Sequence, residues 1–413
     1  MNLKIYGGVV MKYDNKFGMF IHWGIYALTG LQDQALQRFQ MDHKEYDDLM
    51  HQFNPVKYDP EQWVLLAKEA GMKYICFTTK HHDGFCMWDT KYTDFKITNT
   101  PYGKDVLKML AEACQKHGML LSLYYSNPDW NHPYGFNPYT PFAKVWRLCC
   151  SHPDQQDTVI YRQYIKNQIT ELLTQYGPIY TLFWDIPPGI EDPSLNELVR
   201  KLQPNILIND RGWSKGDFGT PEREYDAINT SHFESMTEAC NSVDQQSWGF
   251  RTQPDFYSLR HLNCAIDRFM SMGASYLLNV GPSPEGEITE EYADRIRRIG
   301  NWYNRMEGCL EQAQPDPLNY QPRDCKCVAT MKNGKTYLHF HDGIPSTAVS
   351  LENYPNTPQA VRLMNTNTQL PFALDLLPEF RGGMGVCDRK FLHIMDIPVD
   401  DLANEPIVLE ITW

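Results

Sequence analysis

Between about residue 17 and residue 310, short apolar runs of strand type alternate with longer stretches whose apolar positions recur at helical spacing. The runs FGMFIHWG (17–24), KYICFTTK (73–80), MLLSLYYS (119–126), IYTLFWD (179–185), NILIND (205–210) and SYLLNVGP (275–282) are predicted strands. EQWVLLAKEAG (61–71), DVLKMLAEACQKHG (105–118), YRQYIKNQITELLTQYG (161–177), SLNELVRKLQP (194–204), FYSLRHLNCAIDRFMSMGA (256–274) and EEYADRIRRIGNWYNRME (290–307) are predicted helices. A β/α unit repeated over about 300 residues points to a (β/α)8-like TIM barrel. No GxGxxG follows the first strand, which argues against an open dinucleotide-binding sheet.

After residue 310 the texture changes. EQAQPDPLNYQPRD is rich in Pro, Gln and Asp, and short alternating runs such as KTYLHFHD and PIVLEITW follow, with turn pairs Asn-Gly, Asp-Gly and Gly-Gly. The expected division is a catalytic barrel over 1–312 and a small antiparallel β-sandwich over 313–413.

Composition narrows the function classes. The 38 Lys and Arg against 51 Asp and Glu leave a net charge of −13, the wrong balance for a protein that tracks nucleic-acid phosphates. No stretch approaches the ~18 unbroken apolar residues of a membrane helix, so no membrane insertion is expected. Aromatic residues make up 13% of the chain, which leans toward carbohydrate because sugar C–H faces stack on flat rings. Eleven cysteines, including the adjacent Cys149 and Cys150, do not read as a disulfide framework, and most are expected reduced and buried. The first residues carry no secretory-signal pattern, which leaves the compartment and any export open.

In such a barrel the chemistry lies at the C-terminal ends of the strands. Here those ends read His22-Trp23, Lys80-His81-His82-Asp83, Tyr124-Tyr125 followed by Asp129-Trp130, Trp184-Asp185, and Asn209-Asp210-Arg211. Metal-assisted hydrolysis fits them poorly. Adjacent strand residues face opposite ways, so His81 and His82 could share an ion only past the strand's end; no HxH or HExxH occurs, and Cys325 and Cys327 have no partnering pair at zinc spacing. Glycoside hydrolysis needs two carboxyl groups and no cofactor or metal. Asp185 suits the nucleophile, since it closes an apolar strand where an unpaired carboxylate would be costly. The acid/base would come from 216–251, which offers Glu222, Glu224, Glu234 and Glu238.

At the level of long motifs the chain resembles the α-L-fucosidases of glycoside hydrolase family 29 from about Lys16 to Gly308. FGMFIHWG, TTKHHDGFCMWDTKYTDF, LYYSNPDW, LFWD, NDRGW, GDFGTPE, SWGF and YLLNVGPSPEGEI occur in the family's order. The resemblance implies a barrel followed by a β-sandwich, no metal or cofactor, and double displacement with retention on a fucosylated glycan. It places Asp185 at the nucleophile, and His22, His81, His82 and Tyr124 at the fucose hydroxyls. It also sets Arg211 beside the reacting centre and Phe250 at the wall facing the sugar's methyl group. Trp23 and Trp184, beside these groups at the strand ends, join the substrate-binding candidates. Glu222 in GDFGTPE is the favoured acid/base, with Glu238 the other candidate.

Three departures stand out. Gln34-Ala35 occupies the place of a Glu-Trp pair that many members carry in the sugar pocket, Thr237 stands where a Trp would precede Glu238, and Ile186-Pro187-Pro188 follows the nucleophile where Gly is commoner. The expected function is a retaining exo-glycosidase that removes non-reducing terminal α-L-fucose from oligosaccharides or glycoconjugates. The alternatives are a glycosidase for a fucose-like sugar such as L-galactose, and a non-catalytic carbohydrate-binding protein on a degenerate hydrolase scaffold. Linkage, aglycone, oligomeric state and transglycosylation are not legible in the chain.

Overall fold

The computed structural model describes residues 3–6, 9–12, 16–155, 157–223, 232–318, 320–377 and 389–413. The barrel strands are β1 (Phe17–Ile21), β2 (Tyr74–Lys80), β3 (Leu120–Ser126), β4 (Thr181–Asp185), β5 (Leu207–Ile208), β6 (Glu238–Ser242) and β7 (Ser275–Val280). They run in the order β5-β4-β3-β2-β1-β7-β6, every neighbour parallel. All seven residues of β2 are buried, as expected of a parallel strand covered on both faces.

Among the described residues the ring has seven regular strands where eight were expected. Between β5 and β6 runs the segment 218–222, joined to one side by the bridge Asn209↔Phe218 and to the other by Gly219↔Thr237 and Glu222↔Cys240. Two glycines and a proline in GDFGTPE explain why it makes single bridges and no continuous ladder. β6 itself was not predicted. EACNS has no apolar run, and it is extended because β7 supplies a parallel edge for it from Ser275 to Asn279.

Six helices cover the ring: α1 (Pro60–Glu69), α2 (Val106–His117), α3 (Thr158–Gln175), α4 (Pro193–Leu202), α5 (Leu259–Ser271) and α6 (Glu290–Leu310). Local chemistry sets where most begin. The side chains of Asp59, Asp105, Asp157, Asp192 and Ser258 each accept backbone N–H groups at the first turn of α1 to α5. Pro60 and Pro193 occupy the first helical position, where no N–H is needed.

Among the described residues the C-terminal part is two antiparallel sheets, one of six strands and one of three. Leu338, Leu363, Leu409 and Ile411 from the larger share one apolar cluster with Leu351, Leu392 and Ile394 from the smaller, which is the sandwich expected. Its first hairpin turns on Asn333 (φ 54°) and Gly334 (φ 78°), the left-handed pair that a tight primed turn requires. The Gly382-Gly383 pair lies outside the described residues. Against the barrel the sandwich is held by a buried polar cluster: Asp267 of α5 contacts His339 Nδ1 at 3.0 Å and His341 Nε2 at 2.8 Å. The described cysteines are all free thiols, most of them buried.

Candidate active site

At the mouth of the barrel, Asp185 ends β4 with its side chain turned inward. Its Oδ1 accepts from Arg211 Nη1 (2.9 Å) and from the Ile186 backbone N–H (2.9 Å), and its Oδ2 accepts from the Tyr124 hydroxyl (2.7 Å). His82 Nε2 lies 3.7 Å from the same Oδ2. Burial pushes this carboxyl up, but Arg211, His82 and the Tyr124 hydroxyl outweigh it and hold the group at about 2. Ile186 has φ 60°, a left-handed conformation unusual for a β-branched residue, and its carbonyl is tied to Asn127 Nδ2 at 2.9 Å. The departure from Gly noted at this position is thus accommodated in the backbone conformation Gly would favour.

Glu222 ends the bridging segment. Its Oε2 accepts from Arg211 Nη1 at 2.8 Å, so the nitrogen that holds Asp185 also holds Glu222. Its side chain is 39% exposed, where that of Asp185 is 12% exposed. Burial by the surrounding walls and the nearby Asp185 charge raise its pKa, against the pull of Arg211. The next residue, Arg223 (φ 53°), reaches back to the carbonyls of Gln245 (2.7 Å) and Ser247 (3.1 Å), fixing the approach of Glu222 to the pocket.

The histidines converge. β2 ends at Lys80, so the alternation expected to separate His81 from His82 no longer applies, and their rings lie 4.2 Å apart. The fully buried Lys80 ion-pairs with Asp129 at 3.1 Å and underpins this turn. His22 is anchored by Asn279 Oδ1 at 2.7 Å and His82 by the Ser126 hydroxyl at 2.7 Å. Burial, then the neighbouring imidazole, lowers His22 and His81 to about 3, and burial lowers His82 as well. Three neutral imidazoles therefore face the pocket, each able to offer a donor or an acceptor.

Asp33 was missed from the sequence. It is 2% exposed; its Oδ1 accepts from the Trp248 backbone N–H (2.9 Å) and the Ser247 hydroxyl (3.2 Å). Its Oδ2 has no hydrogen-bond partner among the described residues and lies 3.9 Å from His81 Nε2. Burial opposes its charge, but His81 and His22 lead the groups that lower its pKa. The departure at Gln34-Ala35 therefore does not leave the pocket without a carboxylate: one stands a residue earlier. Trp248, in the SWGF motif, was also missed; its ring lies 5.2 Å from that of His22 and 4.5 Å beneath the Arg223 guanidinium. The signal for both was present in the chain, but only folding shows which way they point.

Four candidates lie elsewhere. Trp23 turns outward, packs on Tyr58 and Trp63, and donates its indole N–H to the Ser283 carbonyl. Trp184, one residue from Asp185 on a strand, faces the other way, with its indole on Asn196 Oδ1 at 3.1 Å. Phe250 directs its ring toward Tyr292 (6.3 Å). Glu238 is the first residue of β6, at the opposite end of the barrel interior, where its Oε2 accepts from the hydroxyl of Tyr74, the first residue of β2, at 2.6 Å. The structure therefore brings Glu222 to Asp185 and leaves Glu238 in the barrel floor. Glu224 lies outside the described residues.

Comparison with known proteins gives the family and the fold. The family model described as Alpha-L-fucosidase matches residues 10–307. The chain is 24% identical over 366 residues to the tissue alpha-L-fucosidase of Rattus norvegicus, covering 79% of this chain and 75% of that protein. It is 26% identical over 368 residues to an alpha-L-fucosidase of Branchiostoma floridae, covering 79% and 77%. Among solved structures it superposes on alpha-L-fucosidase isoenzyme 1 of Paenibacillus thiaminolyticus with TM-score 0.80 at 29% identity, covering 96% of each chain. It superposes on the Thermotoga maritima alpha-fucosidase bound to a mechanism-based inhibitor with TM-score 0.74 at 26% identity, covering 97% and 95%. A carboxylate pair on one guanidinium, three neutral imidazoles above a TIM-like ring, and a family match across nearly the whole of that ring lead to one conclusion: this chain belongs to the α-L-fucosidase family.

Proposed function

We propose that the protein is a retaining α-L-fucosidase, a glycoside hydrolase that releases terminal α-L-fucose, with Asp185 as nucleophile and Glu222 as acid/base. The observation that carries the reading is the sharing of Arg211 Nη1 by the two carboxylates, at 2.9 and 2.8 Å. Those contacts keep the two bound oxygens closer together than the ~6.5–9.5 Å of an inverting pair and compatible with the ~5–5.5 Å of a retaining one. The pKa directions support the same division. Asp185 is held ionised and able to attack, whereas Glu222 is pushed up and able to carry a proton.

In the first step Asp185 forms a bond to the anomeric carbon while the glycosidic C–O bond breaks, and Glu222 delivers its proton to the departing oxygen. In the second, Glu222 takes a proton from water, whose oxygen displaces Asp185 from the sugar, and the two inversions retain the configuration. His22, His81, His82, Tyr124 and Asp33 would bind the fucose hydroxyls. Trp248 would supply the flat apolar face assigned to Phe250 from sequence.

The test is turnover of 4-nitrophenyl α-L-fucoside by the wild type and by Asp185→Ala, with azide rescue and NMR of the product. Loss of turnover that azide restores as the inverted β-fucosyl azide is the expected result. Full activity in Asp185→Ala would sink the assignment.

A further inference from the structure

The loop that follows β3, described over residues 127–155, is pinned at two points close to Asp185. On one side, Asn137 Nδ2 donates to the Pro188 carbonyl (2.6 Å) in the turn that leaves Asp185. There the Tyr139 carbonyl presses so close to Gly189 (φ 70°) that a Cβ would lie 2.3 Å from it, a contact only glycine permits. On the other side Trp146, 6% exposed, packs its ring 5.4 Å from that of His82, the imidazole beside Asp185. Between the two pins, two aromatic rings stand in solvent: Tyr139 is 61% exposed and Phe142 46% exposed. Phe142 stacks on Trp146 with centroids 5.1 Å apart and planes 29° from parallel. A ladder of rings thus runs from His82 through Trp146 to Phe142 at the surface.

Exposed aromatic rings on a doubly anchored segment beside Asp185 offer flat apolar surface to a bound sugar. The pocket ends below in packed barrel side chains, so whatever fucose is attached to must leave through the mouth, on the side where Glu222 is open to solvent. We propose that Tyr139 and Phe142 form a stacking platform for the sugar ring that carries the fucose, making the leaving-group sugar part of what the enzyme recognises. The proposal rests on the α-L-fucosidase reading above. A pyranose presents one face of C–H groups, and the Phe142 ring stacked on Trp146, with the Tyr139 backbone fixed against Gly189, lowers the ordering cost of receiving it.

The test compares two substrates of wild type and of the Tyr139→Ser/Phe142→Ser double variant. One is α-L-fucosyl fluoride, whose leaving group has no ring. The other is whichever of α1,2-, α1,3- and α1,6-linked fucosyl oligosaccharides the wild type cleaves fastest. The ratio of kcat/KM for the oligosaccharide to that for the fluoride is expected to fall about ten-fold, chiefly through KM. Leu148→Ser, 83% exposed on the same loop, serves as the control for loss of apolar surface alone. An unchanged ratio in the double variant, or an equal fall in the control, would overturn the platform and leave the fucosidase assignment standing. A wild type inert on fucosyl fluoride would overturn the assignment and the platform with it.

Discussion

Asp185 and Glu222 hang from one nitrogen of Arg211, yet the site pushes their pKa values in opposite directions. Arg211 does much of the work of keeping Asp185 at about 2 against burial. Activity requires the ionised Asp185 and therefore rises with pH through its pKa. In Arg211→Met, burial acts with less opposition, so the acidic limb of the kcat/KM profile is expected to move to higher pH, with a greater loss of activity at pH 4 than at pH 7. A uniform loss at every pH would contradict this account of Arg211.

Removal of the acid at Glu222 should depend on the leaving group. Glu222→Ala is expected to lower kcat/KM on an oligosaccharide by about 10²–10⁴-fold, the usual range for a general acid. The loss should be much smaller on fucosyl fluoride, whose C–F bond breaks to release fluoride without a proton from Glu222. The basic limb of the pH profile should also disappear. Equal losses on both substrates would argue for a binding role.

Asp33 presents a buried oxygen with no protein partner beside His81. Asp33→Asn would exchange a charged acceptor for an amide at that point, and a lost hydrogen bond to a charged group costs about 1.5–3 kcal/mol. The expected fall in kcat/KM is about ten- to a hundred-fold, the same for fucosyl fluoride as for oligosaccharides, because the contact is to the fucose and not to its leaving group. A loss confined to oligosaccharides would move Asp33 out of the sugar pocket.

Glu238 offers the reverse case, a buried carboxyl away from Asp185 that accepts from the Tyr74 hydroxyl. Burial raises it to about 7, with the Tyr74 hydroxyl opposing. Between the unfolded carboxyl's range near 4.3 and about 7 the folded state holds the extra proton, so this group's contribution to stability is present at low pH and is lost as pH rises through 7. Glu238→Gln is expected to keep full turnover and to gain melting temperature relative to wild type as pH is raised from 5 to 8. Turnover lost in this variant and regained with azide would restore Glu238 as acid/base.

The junction between barrel and sandwich should be sensitive to acid. Asp267 receives both His339 and His341, and its pKa is held well below the usual range by those imidazoles against burial, while burial lowers that of His341. His22, His81 and His82 are lowered too. Below about pH 6.5 the unfolded chain binds protons at these histidines that the folded one refuses, so stability should fall as pH drops from 6.5 toward 4. The Asp267 contribution is lost only below its unfolded pKa of about 3.9. Urea midpoints measured from pH 8 to pH 4 should show the decline, and Asp267→Asn should destabilise by about 3 kcal/mol by breaking a buried charged pairing.

Much of the fold was legible because it is written in local terms. Periodicity marks β1 to β5, β7 and the six helices, five of which prove to start on Asp or Ser caps. The proposed nucleophile, Asp185, was legible for a similar reason: a carboxylate at the end of an apolar strand has a cost that local sequence reveals. β6 was not, because EACNS is a strand only through the edge of β7, and neither was the bridging segment that replaces an eighth strand.

Side-chain direction was the other thing sequence reasoning could not reach. Trp23, Trp184 and Phe250 lie within two residues of pocket groups and point elsewhere, whereas Asp33 and Trp248 arrive from loops separated from each other by 215 residues. Sequence by itself marked the repeated β/α rhythm, the six helices, the candidate nucleophile Asp185 and the family resemblance, since these depend on neighbours along the chain. Tertiary structure alone separates Glu222 from Glu238. Both are carboxylates in the same stretch, and what separates them is which end of the barrel each faces and whether Arg211, brought in from another strand end, lies within hydrogen-bond reach.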